Sequence, residues 1–511
     1  MNFGNIVDLA AADIPARPAA GDAGGLLTYA ALSRRTNAAA NAFARLGVDA
    51  GDRVAICLDN GLAFLTAHLG AMKRGAVSVS INTQFTDAQV RYVLDVSDVS
   101  ALVTDKAFAS VADVVDATLT VDGSARTDYR TALEAADDEA TVHPRRSDEL
   151  AEILYTSGTT GRPKGVRHTH GNVVANAMGI VTSLGLTRKD VGLTVCQCFH
   201  VTGLNVTTTP LLFARGENRM LPTFTPERVF SAVETYGITY AFFTPSMVID
   251  LIEDGGAARY DLSSLTTVGV GGAPMPKGRF EEAEATFGCP ILEGYGMTET
   301  TPLAAFNRPD TERKSGSVGP PAREVVDLRI EDPETGDAVA RGERGELLWR
   351  GDTVTPGYER RRNDAAAFVE RDGERWFRSG DVGRLDEDGY LFVVDRLEDM
   401  FTTGCANVSP RKIEEALYEL DAIGEAAVID TRDDLKGAVV TVVIVRAGDD
   451  LTAEQVQTVC DERLEDYEVP QRVEFVEELP TTATGKVDRV ALRKAYGDPR
   501  TRRQGEAGPT Q

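Results

Sequence analysis

Apolar strands and amphipathic helices alternate along most of this chain, and that rhythm restricts its architecture more than any other feature. Residues 29–46 carry a helical pattern, 53–57 a short apolar strand, 63–73 a second helical pattern and 76–80 a second strand. The rhythm resumes at Glu152 and runs to about Leu303. Strands alternating with helices imply parallel sheets covered on both faces. After Gly316 the character changes: 328–330, 346–350 and 390–394 read as short strands between Gly/Asp turns, a small antiparallel or barrel-like section. The C-terminal stretch has its own plan. It predicts a helix over 410–420, strands over 425–429 and 438–445, and a helix over 452–467 with Thr452 as N-cap. The expected fold class is α/β. It comprises a large N-terminal domain of parallel-rich sheets flanked by helices, a small β-barrel-like section, and a small α+β C-terminal domain behind a hinge near 395–400. Residues 497–511 are polar, with Gly and Pro, and read as a disordered tail.

Charge narrows the partners. The 511 residues hold 79 Asp and Glu against 54 Lys and Arg, a formal net charge of −25. Such a field repels phosphate backbones and anionic lipid, which argues against nucleic-acid and membrane-surface roles. Only 10 of the cations are Lys. An acidic, Lys-poor surface suits a salt-rich, halophilic cytoplasm; a GC-rich genome is the alternative source of the Arg excess. The six cysteines are scattered and form no disulfide framework. Cys196 and Cys198 alternate on one face of an expected strand, without a second pair to complete a zinc site. The N-terminus lacks a basic region and a long apolar run, and no stretch reaches about 18 apolar residues. A soluble, cytoplasmic protein without integral membrane association is expected.

The strongest local signal is Tyr155-Thr-Ser-Gly-Thr-Thr-Gly-Arg-Pro-Lys-Gly-Val166, directly after an apolar strand at 150–154. Glycines let backbone N–H groups approach polyphosphate oxygens, and hydroxyls and an ammonium add donors. It is not a Walker A loop, because Lys164 is followed by Gly165 rather than Ser or Thr. A second signal is Glu293-Gly-Tyr-Gly-Met-Thr-Glu-Thr300. There a carboxylate beside a hydroxyl can hold Mg²⁺ against phosphate oxygens.

These motifs do not stand alone. Phe199-His200, Gly271-Gly-Ala-Pro274, Gly345-Glu-Leu347, Ser379-Gly-Asp381, Asp395-Arg396 and Thr484-Gly-Lys486 follow in order. The ordered set resembles the adenylate-forming, AMP-binding superfamily of acyl-CoA synthetases, adenylation domains and luciferases, over about residues 27–496. The resemblance implies an acid–thiol ligase of the acyl-CoA synthetase branch. A carboxylate attacks the α-phosphate of ATP to give an acyl-adenylate, and coenzyme A then takes the acyl group. It implies an N-terminal adenylate-forming domain at 1–395, a hinge at 396–398, a mobile lid domain at 399–496 and the tail at 497–511.

By the same resemblance, Thr156, Ser157, Gly158, Thr159, Thr160, Gly161 and Lys164 hold the β- and γ-phosphates. Glu299 binds Mg²⁺, and Thr298 donates to the α-phosphate or the carboxylate. Gly272, Ala273, Pro274, Tyr295 and Gly296 form the adenine slot. Asp381 accepts from the ribose hydroxyls, as suits a carboxylate, and Arg396 reaches the ribose or phosphates. Lys486 bridges carboxylate and α-phosphate, a task for a compact point charge. Glu398 matches the hinge position, and Gly404 and Cys405 the loop at the coenzyme A tunnel. There Cys405 is either a packing thiol or a narrowing one.

His200 stands beside the expected acyl carboxylate, with a steric and positioning role. His168 and His170 read as polar residues at a helix start rather than metal ligands. His200, Phe243 and Gly294 are the expected acyl-pocket residues. The small Gly294 suggests depth for a medium- or long-chain fatty acid. An aryl or short branched acid, or a non-catalytic nucleotide-binding relative, are the alternatives.

Overall fold

The computed structural model describes residues 1–111, 114–122, 127–139, 142–156, 162–403, 406–420, 422–433, 437–448, 451–481 and 487–496. It divides into two compact units. The first holds residues 1–275, 281–328 and 349–378; the second holds 276–280, 329–348 and 379–511.

Two large sheets form the first unit. One has seven strands in the order Gly357–Tyr358, Lys164–Thr169, Leu150–Thr156, Val77–Ser80, Arg53–Cys57, Val99–Thr104, Ala117–Thr120. Its five inner and far-edge strands from Leu150–Thr156 onward run parallel, and Lys164–Thr169 returns antiparallel. Alternation along Arg53–Cys57 explains why both faces are covered. Val54 and Ile56 join one core cluster with Leu65 and Leu69 of the helix Leu62–Arg74, while Ala55 and Cys57 join another with Val90, Val93 and Leu94. A strand whose apolar residues alternate into two cores is buried on both sides.

The other sheet has eight strands. Pro18–Asp22, Glu217–Met220, Val191–Thr194, Tyr240–Phe243, Thr267–Gly271 and Ile291–Tyr295 form its parallel run, closed at one edge by the antiparallel Ala305–Phe306. The segment after Val191–Thr194 leads into a π-helix, Thr202–Thr208. The expected strand carrying Cys196 and Cys198 therefore ends earlier, at Thr194. Also in this unit, Phe368–Arg371 pairs antiparallel with residues 374–377.

In the second unit, residues 381–385 pair antiparallel with 391–396, setting Asp381 opposite Arg396. Its C-terminal part is a three-stranded sheet of Ile423–Asp433, Gly437–Arg446 and Arg472–Val476. Val428, Val440, Val442 and Ile444 face Ile413, Leu417, Val456 and Cys460, and Ala427, Ile429 and Val443 face Leu479 and Leu492. Thr452 caps its helix in a reciprocal pair with Gln455, as expected, but the helix ends at Arg463 because Leu464 turns extended. No helix among the described residues is long and apolar enough to cross a membrane.

Candidate active site

Four parallel strands of the eight-stranded sheet end side by side, and the sequence motifs follow those ends. His200 follows Val191–Thr194, Gly272 to Pro274 follow Thr267–Gly271, and Thr298 and Glu299 follow Ile291–Tyr295. The carboxyl ends of parallel strands are where open α/β sheets gather ligand-binding loops.

The phosphate motif is framed by an antiparallel pair. Thr156 lies directly opposite Lys164, and its Oγ1 donates to the Lys164 carbonyl at 3.4 Å. The two ends of the loop are thus held together. Ser157, Gly158, Thr159, Thr160 and Gly161 lie outside the described residues. Tyr155, which opens the motif, is buried. Its hydroxyl meets Ser97 Oγ at 2.7 Å, and burial pushes its pKa up to about 12. A Cβ at Gly165 would lie 2.8 Å from that ring, so the glycine permits the packing.

Thr298 and Glu299 sit on a single turn, Thr298–Thr300. Tyr358 donates its hydroxyl to Glu299 Oε1 at 2.8 Å, and the Thr355 amide donates to the Glu299 carbonyl at 2.8 Å. Gly296 is sterically required: a Cβ there would lie 1.5 Å from the Pro302 carbonyl oxygen. Gly272 takes a φ of +87°, with open space beside it, and Tyr295 packs against Trp349 with ring centroids 6.0 Å apart. The Met275 amide donates to Glu293 Oε1 at 3.4 Å, tying the Gly272 to Pro274 segment to the next strand.

His200 is half-buried, and its Nδ1 accepts from the Thr202 amide at 3.3 Å, with Thr202 Oγ1 at 3.0 Å. An acceptor Nδ1 leaves the proton on Nε2. Phe243 stacks on Phe287 with centroids 6.1 Å apart, so it faces away from Phe242 on the same strand. Phe242 is the residue over the glycine face of the sheet: a Cβ at Gly269 would lie 2.5 Å from it. Phe242 meets Phe306 edge-on at 6.2 Å, and a Cβ at Gly294 would lie 2.6 Å from the Phe306 ring. The room expected at Gly294 is filled by that ring.

The two cysteines of this segment are buried. Cys196 Sγ donates to the Phe242 carbonyl at 3.5 Å and Cys198 Sγ lies 3.6 Å from Thr208 Oγ1. Burial pushes both thiols up to about 12, which leaves them unreactive. His170 opens the helix His170–Leu184 and accepts from the Phe3 amide at 3.1 Å. Burial lowers its pKa to about 4. His168 lies instead on the preceding strand, fully buried, with Nδ1 2.9 Å from Glu152 Oε1. Among the described residues no group of three or more His, Cys, Asp or Glu could hold a metal ion.

Within the second unit, Arg396 Nε donates to Asp381 Oδ1 at 3.0 Å, and its Nη1 lies 3.4 Å from Glu398 Oε1. Two further motifs meet here. Ser379 Oγ donates to the Leu347 carbonyl at 2.7 Å, and the Gly380 amide to Glu346 Oε1 at 3.3 Å. Gly404, Cys405 and Lys486 lie outside the described residues.

The AMP-binding enzyme family model matches residues 7–359, and the AMP-binding enzyme C-terminal domain model matches 412–486. The chain belongs to the AMP-binding enzyme family. It is 36% identical over 476 residues to a feruloyl-CoA synthase of an Amycolatopsis species, covering 93% of this chain and 95% of the relative. It is 33% identical over 470 residues to a 2-succinylbenzoate–CoA ligase of Bacillus cereus, covering 92% and 93%. ATP-bound MatB from Rhodopseudomonas palustris superposes with a TM-score of 0.90 at 32% identity, covering 98% of this chain and 99% of that one. As an AMP-binding enzyme, the chain is an ATP-dependent acid–CoA ligase that works through an acyl-adenylate.

Sequence reasoning did not single out Glu152, His68, Asn205, Tyr358 or Phe306. Glu152 had left a signal: a carboxylate inside the apolar run at 150–154 must find a partner.

Proposed function

We propose that this AMP-binding enzyme activates an aryl carboxylic acid and passes the acyl group to the thiol of coenzyme A. The observation that carries this reading is the Phe306 ring lying over Gly294, edge-on to Phe242. Two aromatic rings against a glycine-lined sheet suit a flat, compact acid. The same filling removes the depth on which a medium- or long-chain fatty acid would depend. Both curated relatives named above take their names from aryl acids.

In the first half-reaction a carboxylate oxygen attacks the α-phosphorus, and the bond to the bridging oxygen of pyrophosphate breaks. Two anions approach, so positioning and neutralisation carry the rate. Thr156, Lys164 and the intervening loop hold the β- and γ-phosphates. Thr298 donates to the α-phosphate, and Lys486 bridges the carboxylate and α-phosphate. Gly272 to Pro274 and Tyr295 take the adenine, and Asp381 and Arg396 the ribose. In the second half-reaction the coenzyme A sulfur attacks the acyl carbon and AMP leaves. Glu299, oriented by Tyr358, is an apt carboxylate for Mg²⁺, which would neutralise phosphate charge when bound. A lone carboxylate suits an ion shared with substrate phosphates. A cytoplasmic location belongs to the same reading.

The test is a competition. The enzyme is given ATP, Mg²⁺, coenzyme A and equal concentrations of benzoate, cinnamate, isobutyrate, decanoate and palmitate, and thioesters are identified by mass spectrometry. An aryl-CoA as the main product supports the reading; a fatty acyl-CoA as the main product overturns it.

A further inference from the structure

A row of polar side chains crosses one buried face of the seven-stranded sheet. Ser78, Glu152 and His168 are direct cross-strand neighbours on three adjacent strands, and all three are buried. His68 reaches the row from the helix Leu62–Arg74. Its Nδ1 lies 2.9 Å from Ser78 Oγ, and its Nε2 faces Glu152 Oε2 at 3.6 Å. Asn205, on the π-helix that follows His200, donates to Glu152 Oε1 at 2.8 Å. His168 Nε2 lies 2.7 Å from the carbonyl oxygen of Thr298.

The donor and acceptor inventory fixes the direction of these bonds. A carbonyl oxygen only accepts, so His168 Nε2 carries a proton and donates to Thr298. Burial opposes charge on Glu152, but its hydrogen bonds with His168 and Asn205 outweigh it and hold its carboxyl below the ordinary range. Glu152 is therefore an acceptor for both His168 Nδ1 and Asn205. Burial keeps His68 below its ordinary range.

A buried cluster of polar groups is poor value for stability, since apolar residues of similar volume serve as well or better. The placement of this one has another consequence. It connects the strands that frame the phosphate loop, the helix that follows His200 and the backbone of Thr298. We infer that Glu152 and His168 are positioning residues, holding the Thr298–Glu299 turn and the His200 helix in register for adenylation. Neither touches substrate; they act through Thr298 and Asn205. The inference rests on the adenylation reaction and not on which acid is used.

The experiment separates the half-reactions in Glu152→Gln and in the apolar double variant Glu152→Ala/His168→Leu. Wild-type ATP–pyrophosphate exchange is measured first with its best acid, so a failure of the adenylation reading appears in the wild type itself. Each variant is then assayed for exchange, for thioester formation from supplied acyl-adenylate, and for melting temperature. In Glu152→Gln we expect kcat for exchange to fall about ten-fold or more, the factor given by about 1.4 kcal/mol. KM for ATP and the thioester step should change little. The double variant should melt at or above the wild-type temperature and still show the kcat loss. Recovery of exchange kcat along with stability, or equal loss of both half-reactions, would overturn the positioning role. If neither variant folds, Asn205→Ala, which leaves the pair in place, is scored the same way: a selective loss of exchange kcat supports the role and an unchanged kcat overturns it.

Discussion

The hydroxyl of Tyr358 donates to Glu299 Oε1 at 2.8 Å, joining two residues 59 positions apart in sequence. Tyr358 reaches that point because its short strand pairs with Lys164–Thr169, where it lies opposite Val166. The strand that carries the phosphate motif thus pairs with the strand that carries the partner of Glu299. Tyr358→Phe keeps the ring and removes the bond. Adenylation kcat should fall about ten-fold, in the range of a hydrogen bond to a charged group, and the Mg²⁺ concentration for half-maximal rate should rise. Exchange assays across a Mg²⁺ titration check both.

Lys486→Ala should remove the bridging charge from the first half-reaction alone. Exchange should fall by about 100-fold or more, the scale for losing one electrostatic contact to a transition state. Thioester formation from supplied acyl-adenylate should persist. Parallel assays of the two steps are the check, and equal loss in both would refute a role confined to adenylation.

Phe306→Ala should reopen the room over Gly294. The ratio of kcat/KM for decanoate to that for cinnamate should rise at least about ten-fold, the discrimination a few methylene contacts can supply. Phe306 is buried, so the variant should also lose stability, by about 3–5 kcal/mol. Exchange kinetics below the variant's melting temperature give the ratio.

His170 provides a pH signature of folding. Burial lowers its pKa from 6.5 to about 4. Between those values the unfolded chain binds a proton that the folded chain excludes. Its contribution is therefore complete above about pH 6.5 and is lost as the pH falls through 4, by up to ~3 kcal/mol. His170→Asn removes that titration. Its melting temperature should decline less steeply from pH 7 to pH 4.5 than the wild type's, as calorimetry would show.

How much of this was legible in the sequence depended on the range of the signal. The alternation of strands and helices and the C-terminal cap at Thr452 are local patterns, and both stand in the structure. The motif residues can be singled out in the sequence because the chemistry of phosphate handling confines residue types to short spans. Glu152 with His168, and Glu299 with Tyr358, are cross-strand or loop-to-strand pairs, whose spacing depends on register rather than on any local period. The segment from Phe242 to Val248 reads as pocket-lining in the sequence, but the strand's alternation alone does not say which of Phe242 and Phe243 faces the site. The packing of Phe243 on Phe287 and of Phe242 on Phe306 tells them apart. Likewise, glycine at 294 promised space, and only the partner strand at Ala305–Phe306 reveals what fills it.

The most direct measurement of the central claim is acid-dependent ATP–pyrophosphate exchange, run with Mg²⁺ at low and at molar KCl. The acids are benzoate, cinnamate, decanoate and palmitate. An aryl acid should give the highest kcat/KM in both salts. Exchange driven by palmitate or decanoate, with the aryl acids inert, would contradict it.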